Sequence, residues 1–377
     1  MESVNPFDYR PSTRVVFGNG SLDRLGGLAR ELRGARILLV SDPGIVEAGH
    51  PARAARSLEA SGCAWATFAE VEENPTTKHV DAGLAVAKQF KPDMIVGLGG
   101  GSSMDCAKGI NFLLSNGGRM QDYWGVGKAA RPMLPLIAIP TTAGTGSEAQ
   151  SFALIADPDT HQKMACGDPK AAAAIAILDP ELTLSQPERV TALTGIDALS
   201  HALETWVSTK RNAVSAMYSR EAWRLLSESL PRVLCAPGDQ QARAGMLLGA
   251  HLAGAAIENS MLGIAHSCAN PLTAHFGIVH GAAVGMMLPA VIRFNSAVVA
   301  SLYGRLVPSA SGGVDTLVAA VESLLDQAAI PRRLSDYNVP EAELPKLAQE
   351  AAQQWTAQFN PRPVTADDLL AIYRAVL

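Results

Sequence analysis

The sequence predicts a two-domain protein: an α/β domain with a parallel sheet over residues 1–185 and an all-helical domain over 186–377. Three observations carry this. The 377 residues exceed what one hydrophobic core ordinarily organises, and 48% of them are hydrophobic, enough for a large core. In the first half, short apolar runs alternate with helix-length stretches, the pattern of strands joined by crossover helices. After about residue 185 helical periodicity takes over, and Pro180 and Pro187 punctuate the boundary in "ILDPELTLSQPERV".

Taken in order, "ARILLVSD" (35–42) reads as a buried strand ending in a polar turn. "PDMIVGLGGGSSMD" (92–105) reads as a strand, a glycine turn and a helix start. "LPLIAIPTTAGTGSEA" (134–149) is a strand leaving into a Gly/Thr/Ser loop, and "AAIAILDPEL" (173–182) is a strand stopped by Pro180. Helices on both faces of the sheet follow from that alternation. Beyond the boundary, "PERVTALTGIDALSHALETWVS", "AVSAMYSREAWRLLSESL", "QARAGMLLGAHLAGAAIENSML" and the tail from Pro340 have helical period and length. There is no internal repeat and no low-complexity tract.

Bulk chemistry narrows the function classes. A net charge of −5 argues against a nucleic-acid or anionic-membrane partner, which needs a basic face. The five cysteines are scattered, odd in number and without a CxxC, so a disulfide framework or thiolate zinc site is not expected, and a reducing compartment is. "MESVNPFDYRPSTR" lacks the apolar core of a signal peptide. The longest apolar stretch, "AGMLLGAHLAGAAI", covers about 14 residues against the roughly 20 of a membrane span. A soluble cytoplasmic protein is expected.

In "GLGGGSSMDCAKGI", Gly99, Gly100 and Gly101 separate a strand from a helix. Glycines there permit positive φ and let phosphate oxygens approach the backbone. Ser102 reads as the N-cap, and the helix start offers free N–H groups to a pyrophosphate. The spacing only imitates G-x-G-x-x-G, and a tight turn without a ligand explains the glycines as well. Asp42 at a strand end suits ribose hydroxyls and would repel a 2′-phosphate, favouring NAD over NADP; a turn aspartate before Pro43-Gly44 is the alternative. Thr141, Thr142, Thr145 and Ser147 form a hydroxyl-rich loop suited to phosphate or a nicotinamide amide, or to capping the next helix.

"TGIDALSHALE" (194–204) places Asp197 and His201 at i and i+4, on one helix face. The pair is either a buried Asp–His hydrogen bond or half of a metal site. Of the eight histidines, His50, His79 and His161 read as solvated, and His251 as a satisfied core residue. His266, His275 and His280 crowd 15 residues of an apolar region, where unpartnered imidazole is costly. One Asp with two or three His suits Fe(II) or Zn(II) and leaves a coordination position open.

These motifs, in order and at the right spacing, resemble the iron-containing (group III) metal-dependent alcohol dehydrogenase family. The resemblance runs from "VFGNGSLDRL" (16–25) through "GGGSSMDCAK" (99–108), "IPTTAGTGSEA" (139–149) and "TGIDALSHALE" to "NPRPVTADDLLAIYRA" (360–375). It implies the two-domain dehydroquinate synthase-like/iron alcohol dehydrogenase fold, with an NAD-binding domain, a helical metal-binding and catalytic domain, and the active site in the cleft between them. It assigns the metal to Asp197, His201, His266 and His280, leaving out His275. It places cofactor contacts at Asp42, Asn74, Gly100, Gly101, Ser102, Thr141, Thr142, Thr145, Ser147 and Lys163. One departure stands out: Asn270 occupies a position where many members carry a second histidine credited with proton transfer.

The implied activity is that of an oxidoreductase, an NAD(P)-linked alcohol dehydrogenase or aldehyde reductase. Hydride passes between nicotinamide C4 and a metal-bound alcohol or carbonyl. Fe(II) is the expected ion with zinc compatible, NAD is expected over NADP, and the assembly expected is a homodimer or higher homo-oligomer. Glycerol dehydrogenase and maleylacetate reductase are the alternatives within the family. A dehydroquinate synthase-like lyase is disfavoured by Asp197 and "GTGSEA", because its pattern uses a glutamate ligand. An inactive nucleotide-binding protein is disfavoured by the intact ligand set.

Overall fold

The computed structural model describes residues 5–159, 162–307 and 313–377, so His161 lies outside the described residues. The chain divides into two compact units, Arg10–Gln186 and Pro187–Leu377, the second joined by the N-terminal residues up to Tyr9. A division at 185 with residues 1–9 in the first domain therefore needs correcting. Asn5 Nδ2 donates to the Thr209 and Arg211 carbonyls, and the Tyr9 and Tyr218 hydroxyls stand 2.7 Å apart, so these residues are held by the helical unit.

The first unit carries, in chain order, β1 (Arg14–Phe17), α1 (Leu25–Glu31), β2 (Arg36–Val40), α2 (Pro43–Glu47), α3 (His50–Ala60), β3 (Ala64–Phe68), α4 (Thr77–Phe90), β4 (Met94–Gly99) and α5 (Gly101–Asn116), then β5 (Gly125–Val126), β6 (Leu136–Pro140), β7 (Phe152–Ala156), β8 (Lys163–Gly167) and β9 (Ile175–Leu178). Six strands form one parallel sheet in the order β1-β9-β6-β4-β2-β3, as the alternating pattern predicts. Along β2 the side chains alternate between two cores. Ile37 and Leu39 pack with Leu25, Leu28 and Leu58, whereas Leu38 and Val40 pack with Met104, Ile110 and Phe112. Burial on both faces is why β2, β4, β6 and β9 read as apolar runs, while the edge strands β1 and β3 are largely exposed and did not stand out. A second sheet, β5-β8-β7, was not foreseen: β5 has two residues, and β7 and β8 pair antiparallel.

The second unit carries α6 (Glu188–Val207), α7 (Ala213–Cys235), α8 (Gln240–Glu258), α9 (Ile264–Phe276), α10 (His280–Tyr303), α11 (Val314–Gln327), α12 (Leu344–Gln353) and α13 (Ala366–Arg374). Helix α6 packs against α7, α8 and α10, and α9 packs against α10 and α12. Gly281 permits a close approach of α10 to α6. A Cβ there would meet the Leu193 carbonyl oxygen at 2.1 Å, so the first turn of α10 seats directly on the α6 backbone. Helix α10 also corrects the estimate of the longest apolar stretch. By length and composition it would suffice to cross a membrane, yet 67% of its most apolar window is buried inside the protein. All five cysteines are free thiols and only Cys235 is exposed. Burial pushes the Cys166 thiol up to about 12 and raises Cys106 and Cys268 as well.

Candidate functional site

Helix α6 is buried along most of its length and presents Asp197, His201 and Glu204 at i, i+4 and i+7, one face of the helix. His266 comes from the first turn of α9 and His280 is the first residue of α10. The Asp197 Oδ1 oxygen is the vertex of the group. It lies 3.5 Å from His201 Nε2, 3.5 Å from His266 Nε2 and 3.7 Å from His280 Nε2. Asp197, His201 and His266 are buried and mutually close. The side chain of His280 is 32% exposed, which makes it the solvent-facing edge.

These separations suit a shared cation better than hydrogen bonds. Donors held tetrahedrally at about 2.0–2.1 Å from one ion stand about 3.3–3.4 Å apart. Asp197 Oδ1 and His266 Nε2 are buried without a hydrogen-bond partner, which is costly unless something else satisfies them. The imidazoles also shape the charge. Burial pushes the Asp197 carboxyl up, but His201, with His266 and His280, outweighs it and holds the group far below the usual carboxylate range. Burial lowers His266, but the Glu204 and Asp197 carboxylates outweigh that and push it up to about 9. The cluster thus concentrates positive charge around one carboxylate, and a divalent cation on neutral imidazoles would supply the same compensation. The residues present fit a divalent metal.

Glu204 was not singled out from the sequence. Its Oε2 lies 2.6 Å from His266 Nδ1, and its Oε1 accepts from the Ala265 N–H at 2.6 Å. The available signal was its spacing, three residues after His201 on the same face. His275 does not join the group. It follows His266 by nine residues, half a turn out of phase, and its Nε2 lies 2.6 Å from Glu350 on α12. The amide of Asn270 donates to Gln354 Oε1 at 3.1 Å. His50 and His79 are not merely solvated either. His50 Nε2 lies 2.8 Å from Ser185 Oγ, and His79 Nδ1 accepts from the Thr76 N–H at the start of α4. His251 is buried in α8.

In the α/β unit, β4 turns into α5 at Gly99 to Gly101. Gly99 has φ +152°, and a Cβ there would meet Ser103 Oγ at 2.5 Å and Asp42 Oδ2 at 2.9 Å. The N-cap of α5 is Gly100, not Ser102, and no side chain caps the helix. Ser102 Oγ instead accepts from the Asn74 N–H, and Lys163 Nζ donates to Asn74 Oδ1. A Cβ on Gly101 would meet the Thr145 side chain at 2.7 Å, and one on Gly100 would lie 3.6 Å from Thr142. Asn74, Gly100, Gly101, Ser102, Thr142, Thr145 and Lys163 therefore surround one uncapped helix start, suited to an anion.

Three of the expected residues play structural parts there. Asp42 Oδ1 caps α2 by accepting from the Ile45 N–H, and its Oδ2 accepts from Ser103 Oγ at 2.9 Å. The Thr141 N–H donates to the Gly99 carbonyl and its side chain is buried. Ser147 turns inward: its hydroxyl donates to Asp105 at 2.6 Å and accepts from the fully buried Lys108 at 2.9 Å. Lys108 Nζ also donates to the Ser147 and Phe152 carbonyls. Burial raises the Asp105 carboxyl against the pull of Lys108.

Residues 12–180 match the family model for iron-containing alcohol dehydrogenase, and residues 191–377 match that for the C-terminal part of the same family. The chain is 33% identical over 371 residues to an NAD-dependent methanol dehydrogenase of Bacillus methanolicus, covering 96% of this chain and 97% of the relative. It superimposes on a crystal structure of 1,3-propanediol oxidoreductase with a TM-score of 0.95 at 31% identity, covering 99% of this chain and 100% of that one. A sulfoacetaldehyde reductase from Bifidobacterium kashiwanohense in complex with NAD+ gives a TM-score of 0.90 at 28% identity, covering 99% of each chain.

Proposed function

The chain belongs to the iron-containing alcohol dehydrogenase family, and from that premise we propose that it interconverts a small alcohol and its aldehyde or ketone with NAD(H). Asp197, His201, His266 and His280 are the proposed metal ligands. The observation that carries this reading is the convergence of three imidazole nitrogens on Asp197 Oδ1 at 3.5–3.7 Å, with two buried polar atoms lacking partners. When bound, the metal supplies Lewis-acid polarisation of the substrate oxygen and the nicotinamide supplies the hydride chemistry.

The residues have distinct parts in this reading. Asp197, His201 and His266 form the buried floor of the ligand set, and His280 closes its solvent side. The uncapped N–H groups of α5 bind the pyrophosphate, with Gly100 and Gly101 allowing close approach and Asn74, Ser102, Thr142, Thr145 and Lys163 around it. Thr141 and Ser147 shape the loop from beneath. Asp42 disfavours a 2′-phosphate, so NAD is preferred to NADP. Asn270 cannot titrate, so position 270 does not accept the proton of the alcohol.

Fe(II) is proposed from the family, and the donor set accepts Zn(II). The relatives' names point to short, polar alcohols and aldehydes as the substrate class. The proposed setting is a cytoplasmic homodimer or higher oligomer without nucleic-acid or membrane partners, supported by free thiols and a net charge of −5. The test is loss of NADH absorbance at 340 nm with a panel of short aldehydes, together with metal analysis of the purified protein. Turnover with stoichiometric iron or zinc supports the reading. A protein that retains no metal and turns over none of the panel overturns it.

A further inference from the structure

Helix α9 starts without a cap of its own. Its N-cap residue is Gly263, which has no side chain to bond the free N–H groups of the first turn. The carboxylate that fills this role comes from α6, 61 residues earlier: Glu204 Oε1 accepts from the Ala265 N–H at 2.6 Å. Gly263 leaves the room for it, since a Cβ there would stand 3.1 Å from Glu204 Oε1. The same carboxylate bonds His266 Nδ1 through its other oxygen at 2.6 Å, and Glu204 is 5% exposed.

An ionised carboxylate only accepts hydrogen bonds, so Nδ1 of His266 must carry the proton. A neutral imidazole then has its lone pair on Nε2, the buried atom without a hydrogen-bond partner that faces Asp197 Oδ1 at 3.5 Å. Glu204 also adds a second negative charge to the buried cluster. Together with Asp197 it would match the charge of a divalent cation held on neutral imidazoles.

We propose that Glu204 is a positioning residue for the metal: its bond to His266 fixes the Nδ1–H tautomer and its charge completes the balance, while its bond to the Ala265 N–H starts α9. This rests on the reading of Asp197, His201, His266 and His280 as a metal site. The experiment separates the two claims by titrating Co(II) into chelator-stripped full-length wild type, His266→Ala and Glu204→Gln, reading affinity and the visible absorbance of bound Co(II). Wild type that binds no Co(II), or binds it no better than His266→Ala, sinks the site itself and the role of Glu204 with it.

With the site established, Glu204→Gln is decisive. Its amide oxygen still accepts from the Ala265 N–H, so the helix start and far-UV circular dichroism are retained. Its NH2 group, however, donates towards Nδ1 and favours the Nε2–H tautomer, which has no lone pair for a metal. Co(II) affinity should fall about 10–100-fold with an altered spectrum, the range for removing such a partner. Affinity and spectrum matching wild type would overturn the proposal. Should the variant not fold, nitrogen-15 labelled histidine in Zn(II)-loaded wild type decides it. His266 must show a protonated Nδ1 and a metal-bound Nε2, and the reverse assignment overturns the role.

Discussion

The two candidate sites are built in different ways. In the helical unit the work falls to side chains: Asp197, His201 and His266 point at one another from α6 and α9, and His280 reaches Asp197 from the first position of α10. In the α/β unit it falls to backbone. The α5 start offers N–H groups, while the hydroxyls beside it are engaged elsewhere, Ser102 with Asn74 and Ser147 with Asp105 and Lys108. A site made of side chains should respond to substitution in an all-or-none way. A site made of backbone should respond by degrees, through whatever shifts the loop.

The largest effect is expected at the ligands. Asp197→Ala, His201→Ala and His266→Ala should each reduce metal content to background and abolish turnover, with helical content by circular dichroism unchanged. His280→Ala should retain some metal, because this side chain lies at the exposed edge. Metal analysis of the four variants checks the order, and equal retention in all of them would break the distinction between floor and edge.

Lys108→Met should act next most strongly, and on stability. It leaves Asp105 buried without its cation and removes donors to Ser147 and Phe152. Breaking a buried pair in this way costs about 3–5 kcal/mol. Denaturant unfolding should show the loss while Co(II) affinity in the helical unit stays at the wild-type value. A parallel loss of Co(II) affinity would mean that the two units do not respond separately.

Gly101→Ala tests the backbone site directly. The new methyl meets Thr145 at 2.7 Å, overpacking that costs about 1–3 kcal/mol of stability and shifts the loop, so the Kd for NADH should rise. Fluorescence titration with NADH measures it, and metal content should be unaffected. Asp42→Asn is subtler, because the amide oxygen keeps the cap on Ile45 while the charge is removed. The ratio of kcat/KM for NADH over NADPH should fall towards one. The smallest effect belongs to His275→Ala. An exposed pair such as His275–Glu350 is worth about 0–1 kcal/mol, and kcat/KM should stay within about twofold of wild type.

What was legible in the sequence follows the same division. Side-chain spacing exposes Asp197 and His201, because i and i+4 share a helix face in any context. It does not separate His275 from His280. That depends on α9 ending at Phe276, on the left-handed turn at Gly277 and on a new helix starting at His280, which reset the helical phase. Glu204 lay on the legible face, but a carboxylate at i+7 reads as solvated until the start of α9 is known to sit against it. Ser102 reads as an N-cap from residue type alone, and it loses that part because Asn74, 28 residues away, takes its oxygen. The second sheet escaped for want of signal: two residues of β5 and the half-buried β7 have no strong period. The four central strands β2, β4, β6 and β9 were legible because burial on both faces leaves apolar runs between turns, whereas the edge strands β1 and β3, largely exposed, gave no such run.

The distribution of thiols turns the protein into its own chemical clock. In the native state a maleimide can reach Cys235 at the end of α7 but not the four buried cysteines. Cys63, Cys106 and Cys166 lie in the α/β unit, and Cys268 lies two residues past His266 in α9. The order in which further thiols become alkylated therefore dates the opening of each unit. Cys268 times the loosening of α9, and the other three time the loss of the sheet. Metal added to the solution should slow the first of these without touching the second, and mass spectrometry of the alkylated peptides reads both from one tube.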